Sequence, residues 1–239
     1  RSTQAKTLFP YTTLFRSAVA DLLAAATHPL LILGTDVWLD GAEEAALRLV
    51  EGLGVPALTN GQGRGVIPGG HPLLVTKARS AALGGADLVI VVGTPLDFRL
   101  GYGLFGGKDG APLAKVVHLT DSPTQVATHL TLAGSVAGDL TQALDGIREA
   151  VQRRGTRPDW TDWATRLGEQ VKAAAERDAA LLTAQADPVH PARIYGELLP
   201  RLADDAVVIG DGGDFVSFAG KFVEPARPGC WLDPGPFGC

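Results

Sequence analysis

The chain has 239 residues and a formal net charge of −5, long enough for one large or two ordinary domains. With 46% hydrophobic and 20% charged residues it has the composition of a folded globular protein, which excludes a disordered or fibrous chain. No basic run exceeds Arg153-Arg154, so nucleic acid is not an expected partner, and no apolar run reaches the length of a membrane span. The two cysteines, Cys230 and Cys239, have no metal-ligand spacing and make no disulfide framework. The expected setting is soluble and reducing, that is, cytoplasmic.

Residues 1–17 are basic, rich in Ser and Thr and free of acids. Within them TLFPYTTLFRS, Thr7 to Ser17, resembles the conceptual translation of a sequencing-adapter oligonucleotide. The chain also contains no methionine. The expectation is that residues 1–17 are artefactual and disordered, and that the rest is an internal piece of a longer protein.

From Ala18 the pattern is regular. AVADLLAAATHP predicts a helix that Pro29 ends, and LLILGTDVW predicts the first buried strand. GAEEAALRLVEGLG places Ala42, Ala45, Ala46, Leu49 and Val50 on one helical stripe. VPALTNG reads as a shorter strand. The loop Gly61 to Leu74 is dense in glycine but lacks the full dinucleotide fingerprint, so it is a weak phosphate loop, and His71 within it reads as a turn residue. A small-residue helix around Arg79 to Gly85 leads to LVIVV, Leu88 to Val92, whose unbroken aliphatic run predicts a central strand covered on both faces. Gly93 ends it, followed by Thr94, Pro95, Asp97 and Arg99. Strand, glycine, then an acid and a base is the grammar of a ligand site at the carboxyl end of a parallel sheet, although such glycines also serve plain tight turns.

AKVVHLTDSP predicts a further strand ending in Asp121, and AGSVAGDLTQALDGIREAVQ a short extended piece and a helix. The alternation spells an α/β fold, a parallel-sheet, Rossmann-like central domain over residues 18–152. Residues 153–186 read as a linker, RRGTRPD, and a long helix with Trp160, Trp163, Leu167 and Val171 on one face. Residues 187–239 begin a second, truncated α/β domain. Pro191 starts a helix there that runs to Leu202, and AVVIGDGGD is the strand after it.

The order of LILGTDVWLDGAEEAALRLVEGLGVPALTNGQGRGVIPGGHPL, DLVIVVGTPLDFRLGYG, AKVVHLTDSP and VAGDLTQAL resembles the central domain of thiamine-diphosphate enzymes of the acetolactate synthase type. HPARIYGELLPRLADDAVVIGDGGDFVSFAGKFVEPARPGCWLDPGPFGC is similar to the opening of their diphosphate-binding domain. 2-Hydroxyacyl-CoA lyases are near neighbours, with a comparable ending.

The resemblance implies thiamine diphosphate and Mg²⁺ between two subunits of a homodimer or homotetramer, acting on a 2-oxoacid or an acyl-CoA. Gly212, Gly213, Asp214 and Phe215 match one side of the diphosphate cradle, and Gly235, Pro236 and Gly238 the other. Asp214 and Phe215 stand where familiar acetolactate synthases have glutamine and histidine, which leaves the cradle to backbone contacts. Gly210-Asp211-Gly212 mimics the family's metal motif, but the asparagine that completes that motif is absent downstream. The metal ligands and the activating glutamate are therefore expected outside this chain, and the fragment alone is expected to be inert. The family's central domain holds FAD in acetolactate synthases and an adenine nucleotide in some CoA-using relatives. Gly34, Thr35, Gly93, Asp97, Arg99 and Asp121 are the matching positions. Pro95 replaces an arginine there and Thr120 an acid, with Asp121 displaced by one, so the FAD contacts cannot all be kept. Three readings stay open: a synthase joining two 2-oxoacids, a lyase acting on acyl-CoA, and a non-catalytic nucleotide-binding module.

Overall fold

A computed structural model describes residues 12–107, 112–155, 158–211 and 213–233. The first unit is built on five short strands, β1 (Pro29–Leu33), β2 (Ala57–Thr59), β3 (Leu88–Val92), β4 (Lys115–Thr120) and β5 (Gly134–Ala137). All neighbours are parallel, in the order β2-β1-β3-β4-β5. The α/β fold is that expected from the sequence, and the unbroken aliphatic run of β3 is buried along its whole length.

Two apolar layers explain why that run has no polar face. Leu31, Leu33, Ile90, Val92 and Leu119 point to one side, against α1 (Thr12–Ala25), α3 (Glu43–Leu53) and α5 (Leu140–Arg153). Leu30, Ile32, Val89 and Val91 point to the other, against α4 (Arg79–Gly85) and α6 (Thr161–Leu182). Successive strand residues alternate between the layers, so a strand covered on both faces must be apolar at every position. In α3 the expected stripe is the buried one, Ala45, Ala46, Leu49 and Val50. Asp87 ties the strand starts together, accepting hydrogen bonds from the Thr27 amide at 2.7 Å, the Thr27 hydroxyl at 2.7 Å and the His28 amide at 2.9 Å.

Three expectations are corrected. Residues 1–11 lie outside the described residues, but Thr12 to Ser17 are helical, because α1 starts at Thr12 rather than Ala18. Phe15, Val19 and Leu23 recur four apart on the face that packs into the first layer, and Arg16 Nη2 donates to the Gln142 carbonyl at 3.1 Å. The segment TDVWL is not strand but a short helix, α2 (Thr35–Leu39), because the backbone bends at Gly34 and the Asp36 amide donates to the Gly93 carbonyl. Trp160 and Trp163 do not share a face. Trp160 precedes the helix and enters the first layer, donating to the Ala26 carbonyl, whereas Trp163 enters the second and donates to the Pro29 carbonyl. Residue 160 lies outside the helical repeat, so the 3.6-residue period does not govern it.

The second unit comprises α7 (Pro191–Leu198), β6 (Val208–Ile209), α8 (Gly213–Phe222) and β7 (Trp231–Leu232), with β6 and β7 parallel. Its core is Ala192, Tyr195, Ala219, Phe222, Val223 and Trp231. Pro191 occupies the first turn of α7 as expected, though the helix gives way to a 3₁₀ turn at Leu199. The glycine-dense loop after β2 clasps this unit. Gly69 N–H donates to the Pro225 carbonyl, Gln62 Nε2 to the Asp233 carbonyl, and Arg64 Nη2 to the Val223 carbonyl. A Cβ on Gly65 would stand 2.1 Å from the Arg227 carbonyl oxygen. The glycines of this loop thus serve close approach between the two units.

Candidate functional site

The strand order places the topological switch point between β1 and β3, whose connections leave towards opposite faces of the sheet. Gly34, Gly93 and Asn60 extend the ladder one residue past the strands: Gly34 N–H donates to Val92 O, Gly93 N–H to Leu119 O and Asn60 N–H to Leu33 O. Gly34, Thr35, Gly93 and Asp121 follow the ends of β1, β3 and β4 on the carboxyl edge of the sheet.

The packing there is tight. A Cβ on Gly34 would lie 2.3 Å from Thr94 Cβ, and one on Gly63 would lie 2.5 Å from the Leu33 carbonyl oxygen. Gly93 has φ +63°, and a Cβ on it would lie 2.9 Å from Asp36 Cβ and from Val37 N. These glycines let three strand ends and α2 meet, so packing alone requires them. Thr35 Oγ1 accepts from the Gln62 amide at 3.2 Å, and Asn60 Nδ2 donates to Thr94 Oγ1 at 3.2 Å.

Asp97 and Arg99 are brought together, but mainly with each other. Asp97 accepts from the Arg99 amide at 2.9 Å and pairs with its guanidinium at 2.8 Å. The following turn is strained, with Tyr102 at φ +54° and more than half exposed beside His129.

A residue that the sequence reading passed over, His118, anchors this edge. It is fully buried in β4; its Nδ1 accepts from the Ala127 amide at 3.2 Å and its Nε2 lies 3.0 Å from Thr94 O. An accepting Nδ1 puts the proton on Nε2, which then donates to Thr94. Burial pushes the pKa of His118 down; the Thr94 bond opposes this, and the nearby His129 adds to it. A depressed folded pKa gives stability that is present above the unfolded value and lost as the pH falls. The melting temperature is thus expected to fall between about pH 7 and 5.5, and His118→Gln to flatten that slope. Thermal unfolding across this range checks it; a wild-type slope retained in the variant assigns it to another group. A histidine among valines in β4 was the available sequence signal.

Of the positions matched to the diphosphate cradle, Gly212, Gly235, Pro236 and Gly238 lie outside the described residues. Gly213 opens α8, with Asp214 and Phe215 in its first turn. Gly213 has φ +54°, and among the described residues no atom beyond its chain neighbours and its own helix backbone lies within 4 Å of where its Cβ would stand. That open, left-handed backbone at a helix start fits a phosphate group that must come close. Among the described residues no group of three His, Cys, Asp or Glu is arranged to hold a metal ion, and no helix is long and apolar enough to cross a membrane.

A parallel sheet covered on both faces, with glycines at its switch point and a second unit clasped against it, defines a Rossmann-like α/β domain. Residues 16–147 match the family model described as the central domain of thiamine pyrophosphate enzymes, and the chain belongs to that family. It is 42% identical over 220 residues to the acetolactate synthase large subunit IlvG of Mycobacterium tuberculosis, and equally to a probable acetolactate synthase of Mycobacterium bovis. Each alignment covers 92% of this chain and 39% of the relative. It is 33% identical over 224 residues to human 2-hydroxyacyl-CoA lyase 2, covering 91% of this chain and 34% of that protein. The chain thus spans under two fifths of the curated relatives it matches.

Proposed function

We propose that the full-length protein is a thiamine-diphosphate-dependent synthase of the acetolactate type. It decarboxylates pyruvate and joins the remaining carbon unit to the carbonyl of a second 2-oxoacid. The observation that carries this reading is the 42% identity to acetolactate synthases over 92% of the chain.

Gly213 supports it by offering an open backbone at the start of α8. In this reading the backbone of Gly212, Gly213, Asp214 and Phe215 holds one side of the diphosphate, and Gly235, Pro236 and Gly238 the other. Mg²⁺, when bound, would offset the charge of the diphosphate, with no described side chain of this chain assigned to hold it. The bound thiazolium supplies the electron sink for loss of CO₂, and this chain's part is to bind and orient it. The working form is a cytoplasmic homodimer or homotetramer.

A second reading, a 2-hydroxyacyl-CoA lyase, is favoured by the 33% identity to the human lyase. It would place an adenine nucleotide at Gly34, Thr35, Gly93, Asp97, Arg99 and Asp121, the positions that match the FAD site of acetolactate synthases without keeping all of its contacts. Incubating the full-length protein with cofactor, Mg²⁺ and pyruvate is expected to yield acetolactate. Cleavage of a 2-hydroxyacyl-CoA without acetolactate formation would replace the first reading by the second.

A further inference from the structure

We infer that the junction of the loop after β2, α6 and α8 is a binding site for a diphosphate group, lined by none of the strand-end positions Gly34, Thr35, Gly93, Asp97, Arg99 and Asp121 nor by Gly213. The junction encloses a cavity of about 320 Å³ lined by Arg64, Thr76, Lys77, Arg177, Asp178, Gly220, Lys221 and Glu224. Four cations against two acids leave a formal excess of two positive charges. The site goes beyond the proposed reaction and does not depend on it.

The cations are only partly neutralised. Lys221 pairs with Asp178 at 2.7 Å, whereas Lys77 is 3.6 Å from Glu224. Arg177 makes no hydrogen bond or ion pair among the described residues, and it projects from α6 into the lining. Arg64 uses Nη2 on the Val223 carbonyl and lies over the Trp231 ring at 4.5 Å, yet its buried Nε has no partner among the described residues. Like charges gathered in a partly enclosed space repel one another, and a dianion relieves that repulsion while accepting several charge-assisted hydrogen bonds. The volume lies at the lower end for small-molecule sites, which suits a diphosphate better than a whole dinucleotide.

Gly220 keeps the space open. It lies within α8, and the nearest atom to a Cβ there is Arg64 Nη1, at 3.8 Å. A larger side chain at this position projects into the cavity without straining the helix. Both free pyrophosphate and the diphosphate of a nucleotide present this chemistry.

The test is calorimetric titration of the 239-residue chain with inorganic pyrophosphate and with ADP. Low salt sharpens the electrostatics, and EDTA removes metal-bridged binding elsewhere. Saturable binding of pyrophosphate is expected, weakened at least about tenfold in both Gly220→Leu and Arg177→Glu. Circular dichroism and melting temperature should stay at wild-type values in both variants, and Gly168→Ala should bind as wild type. Equal affinities for the two ligands assign the site to free diphosphate; ADP binding tighter, and lost in Gly220→Leu, assigns it to a nucleotide. No saturable binding of pyrophosphate up to about 10 mM, or unchanged binding in folded Gly220→Leu, overturns the inference.

Discussion

Gly213→Val in the full-length protein is expected to raise the apparent dissociation constant for thiamine diphosphate at least about tenfold, or roughly 1.4 kcal/mol. Gly213 holds φ +54° at the first residue of α8. A β-branched residue is strained there and regains a favourable φ by rotating its peptide planes. Among the described residues nothing within 4 Å obstructs the new side chain, so the protein is expected to survive the change by altering its local backbone. In the proposed site that relaxation would turn the N–H groups away from the phosphate, and the added methyls would occupy the space that it needs. The control is Gly168→Ala, within α6, where a Cβ also meets nothing and φ is ordinary; its cofactor affinity should match wild type. Cofactor titration with Mg²⁺ present decides the matter. Normal binding by Gly213→Val would mean that α8 starts away from the cofactor. Gly65, in the glycine-dense loop, is no control, because its Cβ would strike the Arg227 carbonyl and part the two units.

The larger loss of stability is expected from Gly34→Val. Its Cβ would lie 2.3 Å from Thr94 Cβ and 2.5 Å from the Gly93 carbonyl oxygen. Most of that obstruction is backbone, and it cannot retreat cheaply. The Gly34 amide is bonded to Val92 O at 2.8 Å and the Asp36 amide to Gly93 O at 3.0 Å, so separating β1 from β3 breaks the ladder at its carboxyl end. Overpacking of this kind costs about 1–3 kcal/mol, and the strained ladder adds to it, so a loss of at least about 3 kcal/mol is expected in urea unfolding. Gly168→Ala should instead be neutral or slightly stabilising. Wild-type unfolding by Gly34→Val would refute the close contact of the strand ends. The same geometry bears on the carboxyl edge as a nucleotide site: Gly34 and Gly93 are needed by the fold whether or not a ligand lies beyond them.

Much of the first unit was legible without coordinates because its signals are local. An aliphatic run too short for a helix, β3, declares a buried strand, and the apolar stripe of α3 declares its inward face. The residues after β1 were misread for an equally physical reason. Thr35 to Leu39 carry strand-like composition, but the Asp36 amide is satisfied by Gly93, a partner far along the chain. The early start of α1 has the same origin. Thr12 to Ser17 lack convincing helical signals of their own, and their order rests on Phe15 and Arg16 meeting β5 and α5.

The sequence by itself determined the alternation of strands and helices, the parallel sheet, the family resemblance and the positions at the strand ends, since each is written in neighbouring residues and in their order. The tertiary structure alone decided what those positions do. Asp97 and Arg99 neutralise each other, and His118 is held neutral beneath Thr94. The glycine-dense loop proved to be a clasp, and Arg64 and Lys77 from the connection after β2, Arg177 from α6 and Lys221 from α8 proved to line one cavity. Charge pairing, burial and close approach depend on distances between residues remote in the chain, and no local period encodes those distances.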